Sequence, residues 1–199
     1  MLDFVESIPG LTREHAVVRI PSLALTKSKE PFSVCILRTS SCRSIANTPG
    51  FYTPLPPHKS TDAVSTKVTP DMGVGLFAKC DFKVNEVILS ERPLLVFPPG
   101  LPFSGLVHKE SAKKHHDSLF EKTLQQALRA MTKEDVDAFM SLSTCQPMAN
   151  LTQAHGIAGT NAFDTDIDEN SLWKGQSGYS AIGKLASRIN HRWVWCFFI

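Results

Sequence analysis

The strongest constraint in this sequence is a helical stripe set between stretches of a different character. Leu119, Phe120, Leu124, Ala127, Leu128 and Met131 recur at helical spacing and form one apolar face. Directly after them, Thr132-Lys133-Glu134-Asp135 has the form of a capping box opening a second helix, with Val136, Phe139, Met140 and Leu142 turned inward. Residues 118–143 therefore read as a helical insert whose stripe belongs to a core. Upstream stand short β-rich runs cut by proline and glycine. Thr66-Lys67-Val68-Thr69 alternates as a strand, Pro70-Asp71 turns, and Met72-Gly73-Val74-Gly75-Leu76-Phe77-Ala78 follows. Glu86-Val87-Ile88-Leu89-Ser90-Glu91 and Leu94-Leu95-Val96-Phe97 are β-rich again, with Pro93 marking an edge or bend between them. From Ala149 onward Gly, Asn and Asp dominate, which predicts loops around short strands. The pattern is that of an α+β chain, β-rich, with short strands, small sheets and a helical insert.

Hydrophobic residues make up 42% and charged ones 20%, a globular balance that excludes wholesale disorder. The formal charge of +2 predicts no direct nucleic-acid partner and no pull toward anionic lipid. The longest apolar run, Trp193 to Ile199, falls far short of the ~20 residues that cross a membrane. Cys35, Cys42, Cys80, Cys145 and Cys196 are scattered and form no C-x-x-C pair, which argues against a disulfide scaffold or a structural zinc site. His115 and His116 are adjacent, so their side chains diverge and make a poor metal site. No metal is expected. The acidic N-terminus has no continuous apolar segment of the secretory kind, and with the cysteine pattern this predicts an intracellular protein of nucleus or cytoplasm.

Residues 1–64 read as an N-terminal extension, partly disordered, with short apolar patches at Ala16-Val17-Val18 and Val34-Cys35-Ile36-Leu37 that suit one or two short strands. Residues 52–59 form a Pro-rich linker. Within it Pro54 to Lys59 fits a P-x-x-P-x-K pattern that could dock on an SH3-type partner, although a stiff spacer is the plainer reading.

Gly73-Val74-Gly75-Leu76-Phe77-Ala78 satisfies G-x-G-x-x-A. A dinucleotide site would need a buried strand entering this loop and a helix leaving it. Here Thr69-Pro70-Asp71 enters, and the chain becomes extended again by Val87, so that reading fails. A glycine bulge or hairpin turn between two strands fits better, and it would also let backbone approach a ligand closely.

The same residues carry a resemblance. Met72 to Phe82, then Glu86-Val87-Ile88-Leu89 and Glu91-Arg92-Pro93-Leu94, resemble the opening strands of a SET domain, with Asn85 where that family usually has glycine. Thr160-Asn161-Ala162-Phe163 resembles the family's N-x-F segment, and Ala186-Ser187-Arg188-Ile189-Asn190-His191 the start of its S-R-x-N-H-S-C-x-P-N signature. The order is right, and the resemblance spans about residues 65–191, closest to the SET-and-MYND type without the MYND zinc finger. It implies a partial SET domain over 65–191 and transfer of a methyl group from S-adenosyl-L-methionine to a protein lysine. It further implies that the backbone around Met72, Gly73 and Val74 holds the methionine end of the cofactor, that Asn161 adds a polar contact, and that Asn190 and His191 hold the adenosine end. After His191 the family pattern stops. Residues 192–199 read as an aberrant hydrophobic tail, and the strand bearing the family's catalytic tyrosine has no counterpart, so no catalytic residue is assigned and the chain is expected to be inactive by itself. A non-catalytic interaction module, using the Pro-rich segment and exposed surfaces, is the rival expectation.

Overall fold

The computed structural model describes residues 3–5, 15–20, 32–42, 60–71, 73–98, 109–145, 152–165 and 178–189. In chain order they form β1 (Asp3–Val5), β2 (His15–Ile20), β3 (Ser33–Arg38), a single helical turn (Ser60–Ala63), β4 (Val64–Thr69), β5 (Gly73–Ala78), β6 (Leu95–Phe97), α1 (Lys109–Ala130), α2 (Lys133–Met140), α3 (Gln153–Asn161), β7 (Phe163–Thr165) and β8 (Tyr179–Ile182), then a 3-10 turn at Ala186–Arg188. The chain is α+β. One sheet has the order β1-β2-β3-β6-β8-β7, and β4 and β5 form a separate hairpin. All pairings are antiparallel except β3 with β6, where Val34 meets Leu95 and Cys35 meets Val96.

Side chains along the sheet divide by period two between two cores. Val17, Val34, Ile36, Leu95 and Phe97 face the helices, while Val18, Ile20, Cys35, Leu37 and Val96 join Cys42 and Tyr179 in a second cluster. α1 lies on β2 and β3 and contributes Leu119, Phe120, Leu124, Ala127 and Leu128 to the first core. The stripe expected of this helix is therefore buried, although the helix begins at Lys109, earlier than 118. Thr132 caps α2 as expected: its Oγ1 accepts from the Asp135 N–H at 3.1 Å and donates to the Asp135 carboxylate at 2.9 Å.

Three expectations are corrected. The strands of residues 1–64 are not appended to a domain that starts at 65, because β2 and β3 lie within the main sheet and are almost wholly buried. Arg19 seals the join by donating from Nε to the Ala130 carbonyl at the end of α1, 2.8 Å away. The loops expected beyond Ala149 include a helix, α3. Its Thr152 Oγ1 accepts from the His155 N–H at 3.2 Å and donates to Glu121 of α1 at 2.7 Å. Ala154, Gly156, Ile157 and Ala158 are buried, so small residues allow close packing that offsets the low helix propensity of glycine. Third, residues 86–91 form no strand; Val87 and Ile88 are exposed, and among the described residues no strand pairs with them. Asn85 turns the chain just before them at φ 66°, the left-handed region that asparagine tolerates. The linker at 52–59, the Pro54–Lys59 pattern and the tail at 192–199 lie outside the described residues. Among the described residues no helix is long and apolar enough to cross a membrane.

Burial pushes the Cys42 thiol up to about 11. Burial and then the nearby Cys42 raise Cys35 as well, against a smaller opposing pull from Arg92. Cys80 and Cys145 are exposed. A maleimide added to the native protein should therefore modify Cys80 and Cys145 and spare Cys35 and Cys42 until denaturant is added. Mass spectrometry of the labelled peptides checks this, and native labelling of Cys35 would contradict the burial of β3.

Candidate functional site

Four separate segments enclose a cavity of about 470 Å³. The first is the hairpin end, with Asp71, Gly73 and Val74. Gly73 has φ +69°, which lets β5 leave the turn at an angle a side chain would resist, and Thr69 Oγ1 donates to its carbonyl at 2.9 Å. A Cβ built on Gly73 would stand 3.4 Å from Ser143 Oγ, so a side chain there would fill the gap between this wall and the next. The G-x-G-x-x-A run is β5 itself, and no helix follows it.

The second wall, Leu142 to Cys145, leaves the end of α2. The third is the end of α3 with Ala162 and Phe163, and Asn161 holds the two together. Its Nδ2 donates to the Ser143 carbonyl at 2.7 Å and to the Ile157 carbonyl at 2.9 Å, and the residue is 8% exposed. Both amide hydrogens are thus committed to holding the wall. Thr160 adds a second tie, since its Oγ1 accepts from the Cys145 N–H at 3.2 Å and donates to the Gly156 carbonyl at 2.8 Å. The fourth wall is Ser187, Arg188 and Ile189. Arg188 donates to Ser141 Oγ at 2.8 Å, and Ser187 Oγ donates to the Asn161 carbonyl at 2.9 Å.

Of the expected site residues, Gly73, Val74 and Asn161 share this cavity, although Asn161 lies far from the glycines in sequence. Met72, Asn190 and His191 lie outside the described residues; Ile189, which lines the cavity, directly precedes Asn190. Comparison with protein-family models, with curated proteins and with solved structures finds no match to the chain. The assignment of a role to this cavity therefore rests on its residues.

The cavity combines a polar rim (Ser143, Thr144, Asn161, Ser187) with apolar surface from Val74, Leu142, Phe163 and Ile189. Asp71 and Arg188 place one charge of each sign along it. Its volume falls in the ~300–1,000 Å³ range of small-molecule sites. A hollow of similar volume lies between α1, α2 and the start of α3, walled by Leu128, Val136 and Met140 among others, and gathers none of the expected site residues. Sequence reasoning missed Ser143 to Cys145 and Thr160 as cavity walls. Short polar residues after a helix carry no pattern that says what they face.

Proposed function

We propose that this chain carries the cofactor-holding part of a SET-type, S-adenosylmethionine-dependent protein lysine methyltransferase. The observation that supports this reading is the meeting of Gly73, Val74 and Asn161, with the residues leading into Asn190-His191, around one cavity. The residues suit the group. Without a side chain at Gly73, peptide groups can approach the polar methionine end, and Asn161 Oδ1 can accept one hydrogen bond from it. Asn190 and His191 would hold the adenosine end. Val74, Phe163 and Ile189 supply apolar wall that displaces water from the bound ligand. When bound, the cofactor supplies an electrophilic methyl on a sulfonium for the neutral amine of a protein lysine, and the protein's part is to hold the two in line.

A second reading draws on Val68, Val84, Val87 and Ile88, all exposed, which suit a non-catalytic interaction module. Thermal unfolding with added S-adenosylmethionine separates the two. A ligand that binds only the folded state stabilises it by about 2.7 kcal/mol at a hundredfold excess over Kd. The cofactor reading predicts a melting temperature that climbs with S-adenosylmethionine concentration. A melting temperature indifferent to S-adenosylmethionine would favour the interaction module.

A further inference from the structure

The fourth wall of the cavity has little to fix it in place locally. Residues 183–189 contain one 3-10 turn of three residues, which lies beside β5 and is tied to the end of α2 by Arg188 and to α3 by Ser187. The backbone at the start of that turn is held by Glu91, which sits in the irregular stretch between β5 and β6, more than ninety residues away. The Glu91 carboxylate accepts from the Leu185 N–H at 3.1 and 2.9 Å, one distance to each oxygen, and from the Ala186 N–H at 2.6 Å. A carboxylate received by successive backbone N–H groups is a strong, directional attachment. The anchor continues inward. Ser187 Oγ accepts from the Gly183 N–H at 3.1 Å and donates to the Asn161 carbonyl at 2.9 Å. Asn161 in turn holds Ser143. One hydrogen-bonded path thus runs from Glu91 through the turn to three of the four walls.

Gly183 belongs to the same device. A Cβ built there would overlap Oε1 of Glu91 and come within 3.0 Å of Ala186 Cβ. Space for the carboxylate exists because this residue has no side chain.

We infer that Glu91 is a positioning residue for the cavity: its carboxylate, seated over Gly183, holds the Ser187–Ile189 wall in register with Asn161 and so sets ligand affinity without itself lining the cavity. The part that concerns ligand affinity rests on the cofactor reading above, and the part that concerns the wall does not.

The test uses the full chain with Glu91→Ala, Glu91→Gln, Gly183→Ala and a surface control, Lys122→Ala. Amide hydrogen exchange is read over residues 183–189 and over α1, and S-adenosylhomocysteine affinity is read by calorimetry. Glu91→Ala and Gly183→Ala should each speed exchange at 185–187 at least tenfold while α1 exchanges as in the unmodified chain. Both should weaken S-adenosylhomocysteine binding at least tenfold. Glu91→Gln keeps one acceptor oxygen and should fall between Glu91→Ala and the unmodified chain in both readouts. Unchanged exchange at 185–187 would overturn the inference, as would acceleration spread evenly over the whole chain, which would make Glu91 a general stability residue. If the unmodified chain binds no S-adenosylhomocysteine while the exchange order holds, the cofactor reading fails and the positioning role of Glu91 stands.

Discussion

Replacing Phe139 with alanine is expected to cost about 3–5 kcal/mol of folding stability. Phe139 is fully buried on α2, in the cluster that also holds Leu124, Leu128, Leu142 and Ile157. Removing its ring withdraws transfer energy and leaves a void among residues drawn from three helices. A domain with ~5–15 kcal/mol in hand loses a large share of it. The effect should reach the cavity too, because α2 leads directly into the Leu142–Cys145 wall. Denaturant titration with the slope held in view measures the cost. Glu134→Ala, exposed on the same helix, should stay within ~0.5 kcal/mol of the unmodified chain. A Phe139→Ala cost under about 1 kcal/mol would contradict the core described here.

Asn161 gives a sharper signature, because its chemistry orders two substitutions. Asn161→Ala leaves the Ser143 carbonyl without its amide donor and should cost about 1–3 kcal/mol. Asn161→Asp should be worse, although it is closer in shape. A carboxylate oxygen would replace Nδ2 opposite two carbonyl oxygens, in a residue only 8% exposed, and acceptor would face acceptor. Stability by denaturant and affinity for S-adenosylhomocysteine should both fall in the order unmodified, Ala, Asp. A stable Asp variant would mean that the two Nδ2 hydrogen bonds do not hold the wall.

The helices α1 and α2 were legible because a long stripe at helical spacing and a Thr-x-x-Asp cap are local signals, although the stripe finds its partners in β2 and β3. α3 was not legible: Gly156, Gly159 and Asn161 suppress the local signal, and its stability comes from burial of Ala154, Ile157 and Ala158 and from Glu121 at its cap. The N-terminal strands were visible as apolar patches, but nothing local says that β3 pairs in parallel with β6 or that Arg19 closes α1. Such pairings depend on distant partners. Glu86–Glu91 misled in the opposite sense, since β-favouring residues without a neighbouring strand stay irregular. At the cavity, the glycines and Asn161 were singled out through a family pattern. Glu91 belongs to that pattern, but its partners are backbone N–H groups, which leave no trace in residue identity.

The most direct test is a residue-resolved NMR titration of the chain with S-adenosylhomocysteine, the analogue that cannot transfer a methyl group. Saturable shifts are expected at Gly73, Val74, Ser143 to Cys145, Asn161 and Ser187 to Ile189, with α1 silent. Ligand at millimolar concentration that leaves these signals unmoved, or that shifts Leu128, Val136 and Met140 of the other hollow instead, would contradict the cofactor reading.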